Sequence, residues 1–120
     1  TANILTMDFN TNQIYTINYD MTINDALVLI ERNRHRSLIV LKHNRVVGTI
    51  SDGDIRRALI NDSLGITVVS RIMNRNFHYL NSKITGSEKL KYFESNNIFI
   101  TPIIDNNFNL INVLVKDIPK

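Results

Sequence analysis

The sequence contains no cysteine and no tryptophan, and it has only four glycines and two prolines in 120 residues. The absence of cysteine excludes disulfides and thiolate metal sites, and it fits a reducing, cytoplasmic location. His35, His43 and His78 lie at no metal-ligand spacing, so we expect surface or hydrogen-bonding histidines and no metal site. No apolar run approaches the roughly 20 residues of a membrane-spanning helix, and no charged-then-apolar signal segment opens the chain. No membrane partner is therefore expected.

The chain also lacks a strong charge of one sign. Lys and Arg number 14 and Asp and Glu number 11, which gives a net charge of +3 and a pI of about 9.4. The basic residues are scattered and are not interleaved with aromatic ones, so nucleic acid is not an expected partner, whereas a basic patch favours an anionic ligand. The length suffices for one compact domain or two small packed halves. Because the first residue is Thr1, we expect a domain excised from a larger protein.

The most informative segment is residues 46–59, Val-Val-Gly-Thr-Ile-Ser-Asp-Gly-Asp-Ile-Arg-Arg-Ala-Leu, in which an apolar strand leads directly into a helix. A helix N-terminus presents unpaired backbone N–H groups that can bind an anion. Ser51 adds a hydroxyl that can donate to a phosphate oxygen, and the Asp54 carboxylate can accept from a pair of ribose hydroxyls. Arg56 and Arg57 supply positive charge and forked donors. The segment is therefore suited to a nucleotide.

The same segment has a purely structural interpretation. Ser-x-x-Asp is also a near-capping box, in which Ser51 caps the helix and Asp54 reaches back to its amide. Acidic residues in a first turn, here Asp52 and Asp54, also stabilise a helix through its dipole. On these residues alone the capping interpretation is the stronger, and both carboxylates repel a phosphate unless arginines offset them. A nucleoside monophosphate would place its hydroxyls on Asp54 and its phosphate on Ser51 and an arginine.

Hydrophobic periodicity predicts short strands alternating with helices. Thr22 is the predicted N-cap of the first helix, whose apolar residues keep helical spacing. Residues 1–13 are polar and are predicted to be irregular. The predicted elements are a strand at 14–17, a helix at 23–33, a strand hairpin at 37–41 and 46–50, a helix at 52–61, a helical turn at 68–73, a strand at 77–80, a helix at 87–95, and a strand hairpin at 100–104 and 110–115.

The element order repeats along the chain. An offset of 64 places Ser37-Leu38-Ile39-Val40 on Thr101-Pro102-Ile103-Ile104. Each half is an open βαββα unit whose sheet is half covered, and two units stacked about a pseudo-twofold axis would bury that face. The predicted division is an irregular segment at 1–13, a first repeat at 14–65 and a second repeat at 66–120 with a truncated last helix. Ligands would lie in the cleft between the repeats.

This arrangement resembles a tandem pair of CBS domains, often called a Bateman module, over roughly residues 14–118. The family pattern has an acidic residue and Thr before a helix, here at 20–27, and Gly-hydrophobic-hydrophobic-Ser/Thr-x-x-Asp, here at 48–54 with Thr49 as a mild departure. Residues 69–74, Val-Ser-Arg-Ile-Met-Asn, are similar to the family's usual Val-x-x-Ile-Met segment. The resemblance implies a mixed α/β (α+β) fold of two βαββα repeats related by a pseudo-twofold axis.

The resemblance also implies a ligand and the residues that hold it. Ser51 and Asp54 match the positions that contact phosphate and ribose of an adenosine nucleotide such as AMP or ATP, and the segments near 14–16 and 37 match the base pocket. At the equivalent second site Val115 replaces Ser51 and Asn112 replaces Gly48, so one site per chain is expected. The candidate ligand-binding residues are Ser51, Asp54, Asp52, Arg56, Arg57, Ser37, Arg36 and Tyr15.

The string at 51–59 resembles the CBS pairs attached to bacterial sugar-nucleotide enzymes. These are nucleotidyltransferases of the mannose-1-phosphate guanylyltransferase or legionaminate cytidylyltransferase type, or arabinose-5-phosphate isomerases, and the segment at 72–76 favours the former. The chain has no set of catalytic residues, so we expect a regulatory module with a catalytic domain elsewhere in its parent chain and no required cofactor. The rival hypothesis is a structural dimerisation module without ligand. A homodimer through helices 23–33 and 84–96, or those after each hairpin, is expected in either case.

Overall fold

Two β-sheets organise the chain in the computed structural model, which describes residues 4–7, 14–95 and 100–116. In the first sheet the strand order is β2-β3-β4, and in the second it is β1-β7-β6-β5. A short 3-10 turn at Val69–Arg71 leads into the second half, and within the described residues no helix is long and apolar enough to cross a bilayer. In chain order the elements are β1 (Ile4–Met7), β2 (Thr16–Asn18), α1 (Ile23–Asn33), β3 (Ser37–Lys42), β4 (Arg45–Ser51), α2 (Asp52–Ile60), β5 (Leu80–Asn81), α3 (Gly86–Ser95), β6 (Ile100–Ile104) and β7 (Leu110–Lys116).

The first half has the predicted βαββα order, and the second half repeats it as βαββ up to residue 116. The predicted truncated last helix lies outside the described residues. Most predicted bounds are within one or two residues of the observed ones, but β2 starts two residues later than predicted and β5 starts three residues later. Both are short parallel strands at a sheet edge, so their position depends on the neighbouring strand more than on their own apolar pattern.

The prediction that residues 1–13 are irregular is wrong at residues 4–7, which form β1. This strand pairs antiparallel with β7, from Ile4 opposite Lys116 to Met7 opposite Val113. Its partner is more than 100 residues away in sequence, and four residues carry too little periodicity to indicate such a pairing. The segment that precedes the first half is thus added to the sheet of the second half.

The segment before the second half makes the reciprocal contact. Asn74 bridges to β4, where the Thr49 N–H donates to the Asn74 carbonyl at 3.0 Å and the Asn74 N–H donates to the Thr49 carbonyl at 2.7 Å. Gly48 permits this close approach, because a Cβ there would lie 2.7 Å from the sulfur of Met73 and 3.0 Å from the Asn74 carbonyl oxygen. Each half therefore extends the sheet of the other.

A symmetric pair of backbone hydrogen bonds marks the pseudo-twofold axis. The Val46 N–H donates to the Phe108 carbonyl at 2.8 Å, and the Leu110 N–H donates to the Asn44 carbonyl at 3.1 Å. An offset of 64 converts each bond into the other, because it relates Val46 to Leu110 and Asn44 to Phe108. The predicted fold of two repeats about an internal twofold axis is confirmed.

The offset of 64 is nevertheless wrong for part of the repeat. Ser37 lies opposite Ser51 in the first hairpin, and Ile100 lies opposite Val115 in the second. Ser51 and Val115 are 64 residues apart, whereas Ser37 and Ile100 are 63 apart, because the second hairpin loop is one residue longer. Ser37 therefore corresponds to Ile100, and its predicted match with Thr101 is off by one residue.

The core has one layer between the sheets and others under the helices. Strand β3 contributes to two of these layers, since four of its six residues are buried, and this is why it is a continuous apolar run in the sequence. The layer between the sheets contains Tyr15, Ile39, Leu41, Val46, Ile100, Ile104, Leu110, Val113 and Val115. The layer between the first sheet and its helices contains Ile17, Ile23, Ala26, Leu38, Val40, Ile50, Ile55, Val69 and Met73.

Helix α1 begins as its sequence predicts. The Thr22 hydroxyl accepts from the Asp25 N–H at 3.2 Å, and Asp25 Oδ2 accepts from the Thr22 N–H at 3.0 Å, which completes a capping box. The hydrogen bonds from Thr22, first of all from its backbone N–H, lower the pKa of Asp25 below its ordinary value. The helix ends at Arg34, which has a left-handed φ of 60°.

Candidate functional site

Helix α2 begins with the capping box that the sequence indicated. Ser51 is the N-cap, and its Oγ accepts from the Asp54 N–H at 3.1 Å. Asp54 Oδ2 accepts from the Ser51 N–H and from the Ser51 hydroxyl, each at 2.9 Å. Ser51 and Asp54, the two residues predicted to contact a ligand, are thus hydrogen-bonded to each other. The capping interpretation of this pair is confirmed.

The second oxygen of Asp54 pairs with an arginine. Arg57 Nη2 donates to Asp54 Oδ1 at 2.9 Å, and the Arg57 side chain is 66% exposed. An exposed ion pair of this kind contributes about 0–1 kcal/mol, so a ligand can displace it at low cost. Gly53 makes room for the guanidinium, because a Cβ there would lie 3.2 Å from Arg57 Nη1.

A cleft of about 250 Å³ opens beside the N-terminus of α2, between the two halves. Four of the predicted ligand-binding residues line it, namely Arg36, Ser37, Ser51 and Asp52. We call it the Ser51 cleft. Its full lining is His35, Arg36, Ser37, Thr49, Ile50, Ser51, Asp52, Asn74, His78 and Ile100.

Two hydroxyl-bearing residues lie opposite each other at the edge of this cleft. Ser37 at the start of β3 is the cross-strand partner of Ser51 at the end of β4. At the equivalent position of the second half the pair is Ile100 and Val115, which have no donor. The predicted correspondence of Val115 with Ser51 is confirmed by this register, so the hydroxyl pair is present in the first half and absent at its described counterpart.

Arg36 is held at the cleft in a backbone conformation that is unfavourable for arginine. Its φ is 64°, and a left-handed non-glycine residue costs roughly 1–2 kcal/mol. The Arg36 carbonyl accepts from the Asp52 N–H at 2.9 Å, which fixes the loop before β3 against the first turn of α2. Within the described part of the chain the one ion pair is that of Arg57 with Asp54, so the Arg36 charge remains available in the cleft.

The structure adds residues that sequence reasoning missed. His35 and His78 line the cleft, and Asn74 reaches it through its bridge to Thr49. His35 had a signal, since it directly precedes Arg36. Asn74 and His78 had none, because the fold of the second half is what brings them to the first.

Four predicted site residues are not in the cleft lining, namely Tyr15, Asp54, Arg56 and Arg57. Asp54 and Arg57 are the capping-box carboxylate of α2 and its ion-pair partner. Tyr15 is 5% exposed in the layer between the sheets, and its ring meets the His35 ring edge-on with centroids 5.5 Å apart. Arg56 lines a different, apolar groove between α1 and α2. Tyr15 thus contacts His35, which lines the cleft, and Arg56 lies in the groove between the two helices. No cluster of three His, Asp or Glu side chains that could hold a metal occurs among the described residues.

Two sheets joined about an internal twofold axis, with a cleft between the halves, define the fold of a tandem CBS domain pair. Residues 7–61 match the family model described as CBS domain, a span that includes β2 through α2. This match covers the first half of the described fold, and the second half repeats the same order of strand, helix and hairpin.

Three known proteins are similar to this chain. The CBS domains of a transcriptional regulator from Streptococcus pneumoniae superpose with a TM-score of 0.72 at 20% identity, over 87% of this chain and 85% of theirs. The CBS domain pair of protein MJ0100, in complex with 5′-methylthioadenosine and S-adenosyl-L-methionine, gives a TM-score of 0.65 at 20% identity, over 83% of this chain and 82% of that one. An uncharacterized protein of Rickettsia prowazekii is 29% identical over 108 residues, which cover 89% of this chain but only 34% of that protein.

Proposed function

We propose that this chain is a regulatory module that binds an adenosine nucleotide, such as AMP or ATP, in the Ser51 cleft. The observation that carries the proposal is the pairing of Ser37 with Ser51 beside Arg36, at a helix N-terminus inside a cleft between two halves. Hydroxyls, helix N–H groups and a guanidinium are the donors that a phosphate requires. The complex of the MJ0100 CBS pair with two adenosine derivatives supports the ligand class.

In this proposal the capping box opens partly when the ligand enters. The ribose hydroxyls donate to the Asp54 carboxylate in place of Arg57, and the Ser51 hydroxyl turns from Asp54 to a phosphate oxygen. Arg36 offsets the repulsion between the phosphate and Asp52, which lines the same cleft. Each displaced contact is local, so binding requires no change of the fold.

The parent protein is proposed to be a larger cytoplasmic enzyme. The Rickettsia relative supports a longer parent chain, since this chain spans 34% of that protein's length. Within the parent we propose repeats at 14–65 and 66–120 that regulate a catalytic domain, with a sugar-phosphate nucleotidyltransferase as the first choice and a sugar-phosphate isomerase as the alternative. The supporting observation is the string at 51–59, which places two aspartates and two arginines in α2, the helix whose N-terminus lies beside the cleft.

A second candidate function is structural dimerisation, and a specific surface favours it. The groove between α1 and α2 is lined by Leu27, Asp52, Ile55, Arg56, Leu59 and Ile60, and we call it the helix groove. Ile60 is 72% exposed, and Ile66 in the following loop is 74% exposed. A contiguous exposed apolar surface indicates an interaction site. We propose that two copies pair through this face, as an isologous homodimer, whether or not a nucleotide is bound.

A thermal-unfolding screen tests the nucleotide function. A ligand that binds only the folded state stabilises it by about 2.7 kcal/mol at one hundred times its Kd, which shifts the unfolding midpoint by several degrees. We expect that shift with millimolar AMP or ATP and none with inorganic phosphate or ribose 5-phosphate. No shift with any adenosine or cytidine nucleotide would leave structural dimerisation as the function.

A further inference from the structure

The side chain of His35 is held by a fixed set of hydrogen bonds. Asn33 is buried, its amide Nδ2 donates to the carbonyls of Ile14 at 2.9 Å and Ser37 at 3.0 Å, and its Oδ1 accepts from the His35 N–H at 2.8 Å. Two acceptors on one side and a donor on the other determine the orientation of the amide. Asn33 thus holds the backbone of His35 in a fixed position.

This support also determines the tautomer of His35. Its Nδ1 lies 2.7 Å from the Asn33 carbonyl oxygen, which can only accept, so Nδ1 carries the proton. In the neutral imidazole Nε2 is therefore a bare acceptor. The edge-on Tyr15 ring restricts rotation of the imidazole from another side.

Nε2 of His35 is buried and has no hydrogen-bond partner in the protein. An unsatisfied buried acceptor is costly and calls for a donor that the protein alone does not supply. The same residue lines the Ser51 cleft next to Arg36 and Ser37. A ligand in the cleft can supply that donor once the side chains that cover Nε2 adjust, as commonly accompanies binding.

We propose that His35 Nε2 accepts a hydrogen bond from the amino group of the ligand's base, so that the site selects an amino-bearing purine such as adenine over its oxo counterpart hypoxanthine. The inference rests on the proposed nucleotide function and deepens it. In the neutral imidazole Nε2 and a phosphate oxygen both accept and do not pair, and Arg36 supplies a cation for the phosphate in this cleft. The ribose hydroxyls are assigned to Asp54, which leaves the base.

The selectivity for adenine follows because the oxo group of hypoxanthine and Nε2 of neutral His35 are both hydrogen-bond acceptors. An oxo group opposite Nε2 leaves both lone pairs unsatisfied, and a site built around a hydrogen bond rejects the analogue that cannot form it. The other charged or titratable groups that line the cleft are Arg36, Asp52 and His78. In the proposed pose Arg36 and the neighbouring Asp52 lie at the phosphate end of the nucleotide, so they do not distinguish an amino from an oxo group on the base.

The test is the ratio of AMP to IMP affinity, measured by calorimetry on the whole chain. In the wild type we expect AMP to bind about tenfold more tightly than IMP, the value of one hydrogen bond in a buried site. His35→Phe keeps an aromatic ring against Tyr15 and removes Nε2, so the ratio should fall to near one through loss of AMP affinity. The control is His43→Phe, the same substitution in an exposed turn outside the cleft, which should keep the ratio.

Each other outcome has a definite meaning. If AMP binds but the ratio is unchanged in His35→Phe, or if both nucleotides weaken equally, Nε2 does not recognise the base and this inference is overturned while the nucleotide function stands. If neither nucleotide binds the wild type at millimolar concentration, the proposed function fails and this inference fails with it. The unfolding midpoint of each variant confirms that the chain remains folded.

Discussion

Ser51 and Asp54 have a capping role and a proposed ligand-binding role, and the two can be tested separately. Both belong to the capping box of α2, and both are proposed to contact the ligand. Helix α1 provides a matched reference, because Thr22 and Asp25 form the same capping box on a helix N-terminus that does not line the Ser51 cleft. A change in capping alone should therefore have the same effect on either helix, and a change in ligand contact only on α2.

Asp54→Ala should weaken AMP binding by about one to two orders of magnitude, since hydrogen bonds to a charged group contribute roughly 1.5–3 kcal/mol. Asp25→Ala should destabilise the chain to the same extent as Asp54→Ala, because each loses a capping box, and it should leave AMP affinity unchanged. Calorimetry and urea unfolding of the two variants check this. Equal AMP affinity in Asp54→Ala and Asp25→Ala would mean that Asp54 only caps the helix.

Gly48 is required by the linker between the halves. Gly48→Ala would place a Cβ 2.7 Å from the Met73 sulfur and 3.0 Å from the Asn74 carbonyl, and we expect a loss of about 1–3 kcal/mol in stability from this overpacking. Gly86→Ala is the control, because nothing lies within 4 Å of the added Cβ, and it should be neutral or slightly stabilising. Denaturant midpoints compare the two. A neutral Gly48→Ala would show that the linker is not packed against β4.

The site residues that sequence reasoning identified are those whose role is local. Ser51 and Asp52 stand in the strand-to-helix turn, and Ser37 follows from the hairpin that pairs with it. Asn74 and His78 could not be predicted, since only the stacking of the halves brings them to the cleft. The family pattern supplied the class of ligand, whereas the hydrogen bonds of His35 required coordinates.

At the scale of elements, the capping pattern determines α1, and its observed bounds equal the predicted ones. Strand β1 was missed, because its identity depends on pairing with β7 at the other end of the chain. The one-residue error in the repeat has a similar origin. The longer β6–β7 loop shifts β6 relative to β7, and apolar residues tolerate that shift in a sequence comparison.

The β6–β7 turn contains a carboxylate whose charge stabilises it. Asp105 accepts from the Asn109 side chain at 3.1 Å and from the backbone N–H groups of Asn107 and Asn109 at 2.9 Å each. The Asn109 side chain is the largest cause of its lowered pKa, and the charge of Arg45 contributes, while desolvation opposes them. The ionised form is thus favoured by folding.

Because this folded-state pKa is depressed, the stabilisation is fully present above the unfolded-state pKa near 4 and is lost as pH falls through the lower folded-state value. Asp105→Asn removes the titration. The variant should be less stable than the wild type at pH 7, and the difference should shrink toward pH 2. Urea unfolding across that range checks the sign. A difference that grows on acidification would contradict the assignment.

At the scale of the whole molecule, the helix groove leaves apolar side chains of α1 and α2 exposed, among them Leu27, Leu59 and Ile60. Ile60→Lys places a charge in the helix groove at a helix C-terminus, where a cation is tolerated. Light scattering at micromolar concentration should give a dimer for the wild type and a monomer for this variant. Ile111→Lys, at an exposed position of β7 outside that groove, is the control and should remain dimeric. A monomeric wild type, or a dimeric Ile60→Lys, would contradict the proposed interface.

The central claim concerns the asymmetry between the halves. The first half presents Ser37 and Ser51 where the second presents Ile100 and Val115, so one nucleotide should bind per chain, and its phosphate should depend on Ser51.

Calorimetric titration of AMP and of adenosine into the wild type, Ser51→Ala and the capping control Thr22→Ala tests this most directly. We predict one AMP per chain, an AMP affinity that falls about tenfold in Ser51→Ala, the loss expected for a hydrogen bond to a charged phosphate, and adenosine binding that barely changes. Thr22→Ala should leave both affinities at their wild-type values. Two AMP molecules per chain, or equal AMP affinity in wild type and Ser51→Ala, would contradict the account.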